Sequence, residues 1–180
     1  MALVAIANYR LTKRGKDKAT ADKHLKYFRT VVKAGAINLV HKLQLLEAEM
    51  LTITGSSSFF GKDVDIYAKY DEAVVSASRS GFTQDAALAN YLCFQFCKDK
   101  PDRSHLADMY LKRSFELWMS WGAVAVANSL VERHKDFFNA DSVRDSLKSL
   151  KSSSSGGGSL RGRSRFDANA ALQHKELNVN

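Results

Sequence analysis

Cys93 and Cys97 stand four residues apart, so on a helix both thiols share one face. A metal site there would need two more ligands. No His stands at ligand spacing beside them, and packed core thiols are the simpler reading. The five histidines, His24, His41, His105, His134 and His174, are scattered along the chain, and none has a nucleophile or base paired with it in sequence. Glu47 and Glu49 are separated by about 200° around a helix and cannot work as an acid/base pair. Trp118 and Trp121, with Tyr110 and Ser114 a turn or two earlier, form a helical aromatic stripe, which reads as packed core before it reads as a ligand box. From these residues we expect no catalytic, cofactor-binding or metal-binding site, and a protein that is not an enzyme.

One polar position does recur. The stretch 85–96 contains Ala87-Leu-Ala-Asn90-Tyr91, which is matched 82 residues earlier by Ala5-Ile-Ala-Asn8-Tyr9. At the midpoint lies Leu46-Glu-Ala-Glu49-Met50, and Ala125-Val-Ala-Asn128 follows Ala87-Leu-Ala-Asn90 by 38 residues. Asn8, Glu49, Asn90 and Asn128 thus each follow a small residue at a period of about 40. Such a period predicts stacked helical repeats, because one helix pair cannot bury its own apolar face.

The elements that must carry these residues are helical throughout. Hydrophobic residues make up 45% of the chain, enough for a core, and there is a single Pro and no alternating polar/apolar run. The spacing predicts helices over residues 3–11, 21–34 (capped by Thr20, closed by Gly35), 37–52, 63–80 (stopping at Gly81) and from Thr83 onward. Two more follow, from Ser104 to the interruption at Gly122, and over 123–137 as a terminal cap. Residues 55–61 read as a flexible connection and 98–102 as a break. We divide the chain into a helical repeat domain, 1–145, and a disordered Ser/Gly-rich basic tail, 146–180, in which Ser164 between two arginines is a candidate phosphorylation site.

The net charge of +8 is uneven, with nine Lys/Arg against two Asp in residues 1–35 and thirteen against fifteen acids in residues 36–150. A body that is slightly acidic disfavours nucleic acid as the partner. No run approaches the ~18 apolar residues of a membrane helix, and the apolar start is short for a signal peptide, so a cytoplasmic location is expected.

Two-helix units with a small residue midway in each helix resemble tetratricopeptide repeats; here those residues are Ala7, Ala48 and Ala89 in first helices, and Ala73 and Ser114 in second ones. Between 35 and 132, the blocks His41-Lys-Leu-Gln-Leu-Leu-Glu-Ala-Glu49, Tyr70-Asp-Glu-Ala73, Gly81-Phe82, Asp85-Ala-Ala-Leu-Ala-Asn90, Tyr110-Leu111 and Trp121-Gly-Ala123 resemble the helical repeat region of large multidomain predicted ATPases. That family also carries protein-kinase-like, AAA-type ATPase, GAF, histidine-kinase or cyclase modules. The chain has no phosphate loop, His-Arg-Asp loop or histidine-kinase box, so the resemblance implies the interaction or relay segment alone.

By the same resemblance the fold is an all-α, right-handed tetratricopeptide-like solenoid of about three helical hairpins plus a capping helix. Asn8, Glu49, Asn90 and Asn128 would then face a concave groove and grip a protein or peptide partner. The positions one turn earlier are Val4, Ala86 and Val124, so recognition of a free C-terminal carboxylate is not expected. The alternatives are a regulatory fragment of a signalling ATPase or sensor histidine kinase, docked on or truncated from a kinase or ATPase module, and binding of nucleic acid or an anionic surface through the basic termini.

Overall fold

The computed structural model describes residues 1–55, 62–100 and 103–138, without the side chains of 62–65 and 104. The expected connection at 55–61 (beyond Gly55), the break at Pro101, the 145/146 boundary and the tail with Ser164 lie outside the described residues. Those described contain seven α-helices and no strand. They are α1 (Ala2–Thr12), α2 (Gly15–Lys33), α3 (Val40–Thr54), α4 (Lys62–Arg79), α5 (Thr83–Cys97), α6 (Ser104–Ser120) and α7 (Val124–Arg133). Single 3-10 turns at Ile37–Leu39 and Lys135–Phe137 precede α3 and follow α7. The chain is all-α.

Each helix packs on the next, and α1 also touches α3, and α3 touches α5. One buried cluster joins α3 to α7 around Tyr70, Phe94, Leu111 and Phe115; a smaller one, with Ile6, Leu25, Leu46 and Met50, ties α1 and α2 to the other side of α3. The helical spacing of Ile66, Tyr70, Ala73, Val74 and Ala77 predicts one inward side of α4, where Ile66, Tyr70, Ala73 and Ala77 are buried and Val74 half-buried. The stripe on α6 ends sooner than expected: Tyr110 and Ser114 are buried, but Trp121 is 54% exposed.

The even-numbered helices end alike. Gly81 donates to the carbonyl of Ser78 at 3.2 Å and Phe82 to that of Ala77 at 2.9 Å, and the same pair of bonds recurs at Gly35–Ala36 and Gly122–Ala123. This double bond satisfies last-turn carbonyls and requires a left-handed residue, which Gly81 supplies at φ 77°. A methyl at Gly81 would meet no heavy atom within 4 Å, so the cost of Gly81→Ala is backbone strain alone. We expect about 1 kcal/mol of lost stability in urea titrations, with Ser80→Ala neutral. Equal midpoints for the two variants would show that the turn tolerates a side chain.

Two expectations need correction. α2 begins at Gly15, so Thr20 lies inside it and donates to the Lys16 carbonyl at 2.9 Å instead of capping. Lys13, at φ 55°, ends α1 and turns the chain straight into α2, while residues 16–19 carry no apolar stripe by which periodicity could find them. Ala7 is also not equivalent to its repeat partners, for it is exposed while Ala48 and Ala89 are 0% and 1% exposed. α1 is turned so that Ala2, Ala5 and Ile6 face the core, because it has a helix on one side only.

Candidate functional site

The four repeated polar residues are not brought together on one open face. Asn8 and Asn128 are exposed, whereas Glu49 and Asn90 are 2% and 1% exposed. Asn90 donates from Nδ2 to the Ala86 carbonyl of its own helix at 2.8 Å, and its Oδ1 has no hydrogen-bond partner among the described residues. Glu49 is ion-paired to Arg10 of α1 at 2.8 Å and accepts a short hydrogen bond from the Tyr70 hydroxyl of α4. α3 and α5 each lie between two neighbouring layers, so a polar residue on their buried side serves packing. A groove gripped by all four residues is not what the structure builds.

Other polar groups hold the helices in register. His41 at the start of α3 places Nε2 2.8 Å from Asp85 Oδ2 at the start of α5 and stacks on Phe82 at 4.5 Å. The imidazole is 2% exposed, so it joins two helices and does not face solvent. The Tyr110 hydroxyl donates to Asp71 at 2.9 Å, and the Ser114 hydroxyl to the Ala87 carbonyl at 2.9 Å. Cys93 and Cys97 are free thiols buried in the core; burial pushes the Cys93 thiol far above its usual range, whereas a hydrogen bond with Cys93 lowers that of Cys97. Among the described residues no group of three or more His, Cys, Asp or Glu could hold a metal ion.

An open cleft of about 370 Å³ lies between α5 and α7. Leu88 and Tyr91 of α5, Trp118 of α6, and Ala125, Val126, Ser129, Leu130 and Arg133 of α7 line it. Its walls are apolar and aromatic, with the Tyr91 and Ser129 hydroxyls, the Trp118 indole and the Arg133 guanidinium as the polar groups. Arg133 has no ion pair among the described residues, and His134 beside it bonds Tyr91 at 3.3 Å. Burial, then the nearby Lys98 and Arg133, hold His134 below its ordinary range, so it stays neutral around pH 7 and leaves the positive charge to its neighbours.

α7 is apolar on two sides, and Val126 and Leu130 both reach the cleft. Ala127 and Leu130 go into the core, while Val124 and Val126 stay 47% and 42% exposed. Asn128 is not among the lining residues. Sequence reasoning placed α7 as a cap and passed over this second face, although the run Val124-Ala-Val-Ala127 carries the signal. An apolar side chain would meet an apolar wall here, and an acidic neighbour would meet Arg133. No protein-family model, curated protein or solved structure matches this chain, so the assignment rests on the geometry of the cleft itself.

Proposed function

We propose that the chain is a non-enzymatic interaction module, a tetratricopeptide-like stack of helical hairpins that takes a segment of a partner protein between α5 and α7. The observation that carries this reading is the cleft, an exposed apolar and aromatic wall with an unpaired guanidinium at its rim. Stacking at the sequence period draws support from side-chain hydrogen bonds that join residues 39 to 44 positions apart, at Arg10–Thr52, His41–Asp85, Tyr110–Asp71 and Tyr91–His134. Each links one hairpin to its successor. The partner segment is one that offers a large apolar residue followed by Asp or Glu, since burial supplies affinity and the Arg133 charge supplies orientation.

Selection from a displayed peptide library on the full chain should enrich apolar–acidic pairs. Val126→Arg, which places a charge in the cleft at an exposed position, should weaken a selected peptide by about tenfold or more with helicity unchanged. Arg133→Glu should reverse the preference for acid while leaving the apolar residue selected. Peptides that bind Val126→Arg as tightly as the parent would place the working surface elsewhere.

A further inference from the structure

The hairpin α1–α2 shows a second surface, which shares no residue with the cleft. One side of α1 is covered by nothing among the described residues, and it is largely aliphatic with Asn8 at its edge. Val4, Ala7 and Leu11 follow at i, i+3 and i+7, opposite the buried Ala2, Ala5 and Ile6. Val4 is 58% exposed and Leu11 85%, at the tip of the hairpin. Met1, at the other end of α1, and Ile37, after α2, are 85% and 78% exposed.

The second helix of the hairpin carries a row of cations. The outward side of α2 carries Lys16, Lys23, Lys26, Tyr27 and Lys33, all exposed and within an arc of about 120°. Lys13 and Arg14 extend the row through the turn to Leu11. None of these cations forms an ion pair among the described residues; the acids of α2 do not neutralise the row, since Asp22 pairs with Lys18 and Asp17 accepts from the Thr12 hydroxyl.

We propose that the α1–α2 hairpin docks on an anionic lipid bilayer, with the α1 face and Leu11 entering the headgroup boundary and the α2 lysines reaching lipid phosphates and carboxylates. Exposed aliphatic residues on one helix and exposed lysines on the next suit a fluid surface that conforms to both. Lysine stems lie along the apolar boundary with their ammonium groups outward, and Tyr27 has the amphipathic ring that settles there. A second copy of the chain is the wrong occupant, because residues 1–35 carry nine cations against two acids and would face themselves. Nucleic acid would use the lysines but would leave Val4, Leu11 and Ile37 without a role. No helix among the described residues is long and apolar enough to cross a membrane, so the contact is peripheral.

The test is co-sedimentation of the full chain with vesicles of phosphatidylcholine alone or mixed with phosphatidylserine, at low and high salt. Binding should require phosphatidylserine and weaken with salt. Lys16→Glu with Lys23→Glu should reduce it by at least tenfold, since each cation near the surface contributes roughly fivefold. Leu11→Ser should reduce it about fivefold with the salt dependence unchanged, a result that electrostatic adhesion alone would not give. Absence of binding at low salt, or equal binding to both vesicles, overturns the proposal. So does binding abolished by changing Arg161, Arg163 and Arg165 to Ala but not by the hairpin variants, which would move the contact to the tail. Tighter association with duplex RNA than with vesicles, indifferent to Leu11→Ser, would make the row a nucleic-acid face instead.

Discussion

Phe94→Ala should lower the stability of the chain by about 3–5 kcal/mol in urea titration, the range for emptying a fully buried aromatic site. Phe94 has no solvent exposure, and its ring meets His134 edge-on at 4.7 Å, Phe137 edge-on at 5.2 Å and Tyr91 at 6.0 Å. It is therefore the joint between α5 and the chain that leaves α7. Its removal costs the transfer of the ring and the cavity left behind, together with edge-to-face pairings worth about 0.5–1.5 kcal/mol each. Phe94→Leu keeps most of the volume and should cost roughly half as much. The cleft wall would suffer too, since Tyr91 rests on Phe94 and His134, so peptide binding should weaken even in the folded fraction. If Phe94→Ala cost under about 1 kcal/mol, the α7 end would be separating on its own, and amide exchange confined to residues 124–137 would reveal it.

The contrast between Phe94 and Asn90, one helical turn apart, shows what could be read before the fold was known. Helices α3 to α7 were legible because their apolar residues recur at three and four, and because Gly35, Gly81 and Gly122 announce the ends in types and places that local geometry demands. Environment was not legible. Ala5-Ile-Ala-Asn8 and Ala87-Leu-Ala-Asn90 are almost the same peptide, yet Asn8 is exposed and Asn90 is 1% exposed. The difference lies in how many helices surround each, and no local pattern encodes that. The pairings of His41 with Asp85 and of Arg10 with Glu49 were hidden for the same reason, as partners lie roughly one repeat apart in sequence. The cleft was half visible, since an apolar second face on α7 is a sequence property and its hollow shape is a product of α5 and Trp118.

Arg10→Ala should cost about 2–4 kcal/mol, somewhat less than the loss for breaking a fully buried pair, because the Arg10 side chain is 37% exposed and partly screened. Glu49, 2% exposed, would be left with the Tyr70 hydroxyl as the remaining side-chain partner for its carboxylate. Burial raises the Glu49 carboxyl above its ordinary range even with Arg10 and Tyr70 pulling it down, and burial and the adjacent Glu49 push the Tyr70 phenol well above its own. Tyr70 therefore remains a neutral donor and cannot replace the lost cation. A carboxyl whose folded pKa exceeds its unfolded value binds protons more readily when folded, so its contribution is favourable in acid and falls away as pH rises through the folded value. Without Arg10 that value moves further up. The deficit of Arg10→Ala should accordingly be largest near neutral pH and shrink as pH is lowered toward the ordinary carboxyl range, the reverse of a variant that had merely lost packing. Glu49→Gln keeps the hydrogen bond from Tyr70 without the charge and should cost about 1–2 kcal/mol with little dependence on pH. The double variant Arg10→Met, Glu49→Met removes both charges while filling the space, and should regain most of the loss. Additive penalties in a cycle with the Arg10→Met and Glu49→Met single variants would mean that α1 is held by the contacts of Ile6 and Ala5, and that the ion pair across α1 and α3 sets their register without stabilising them.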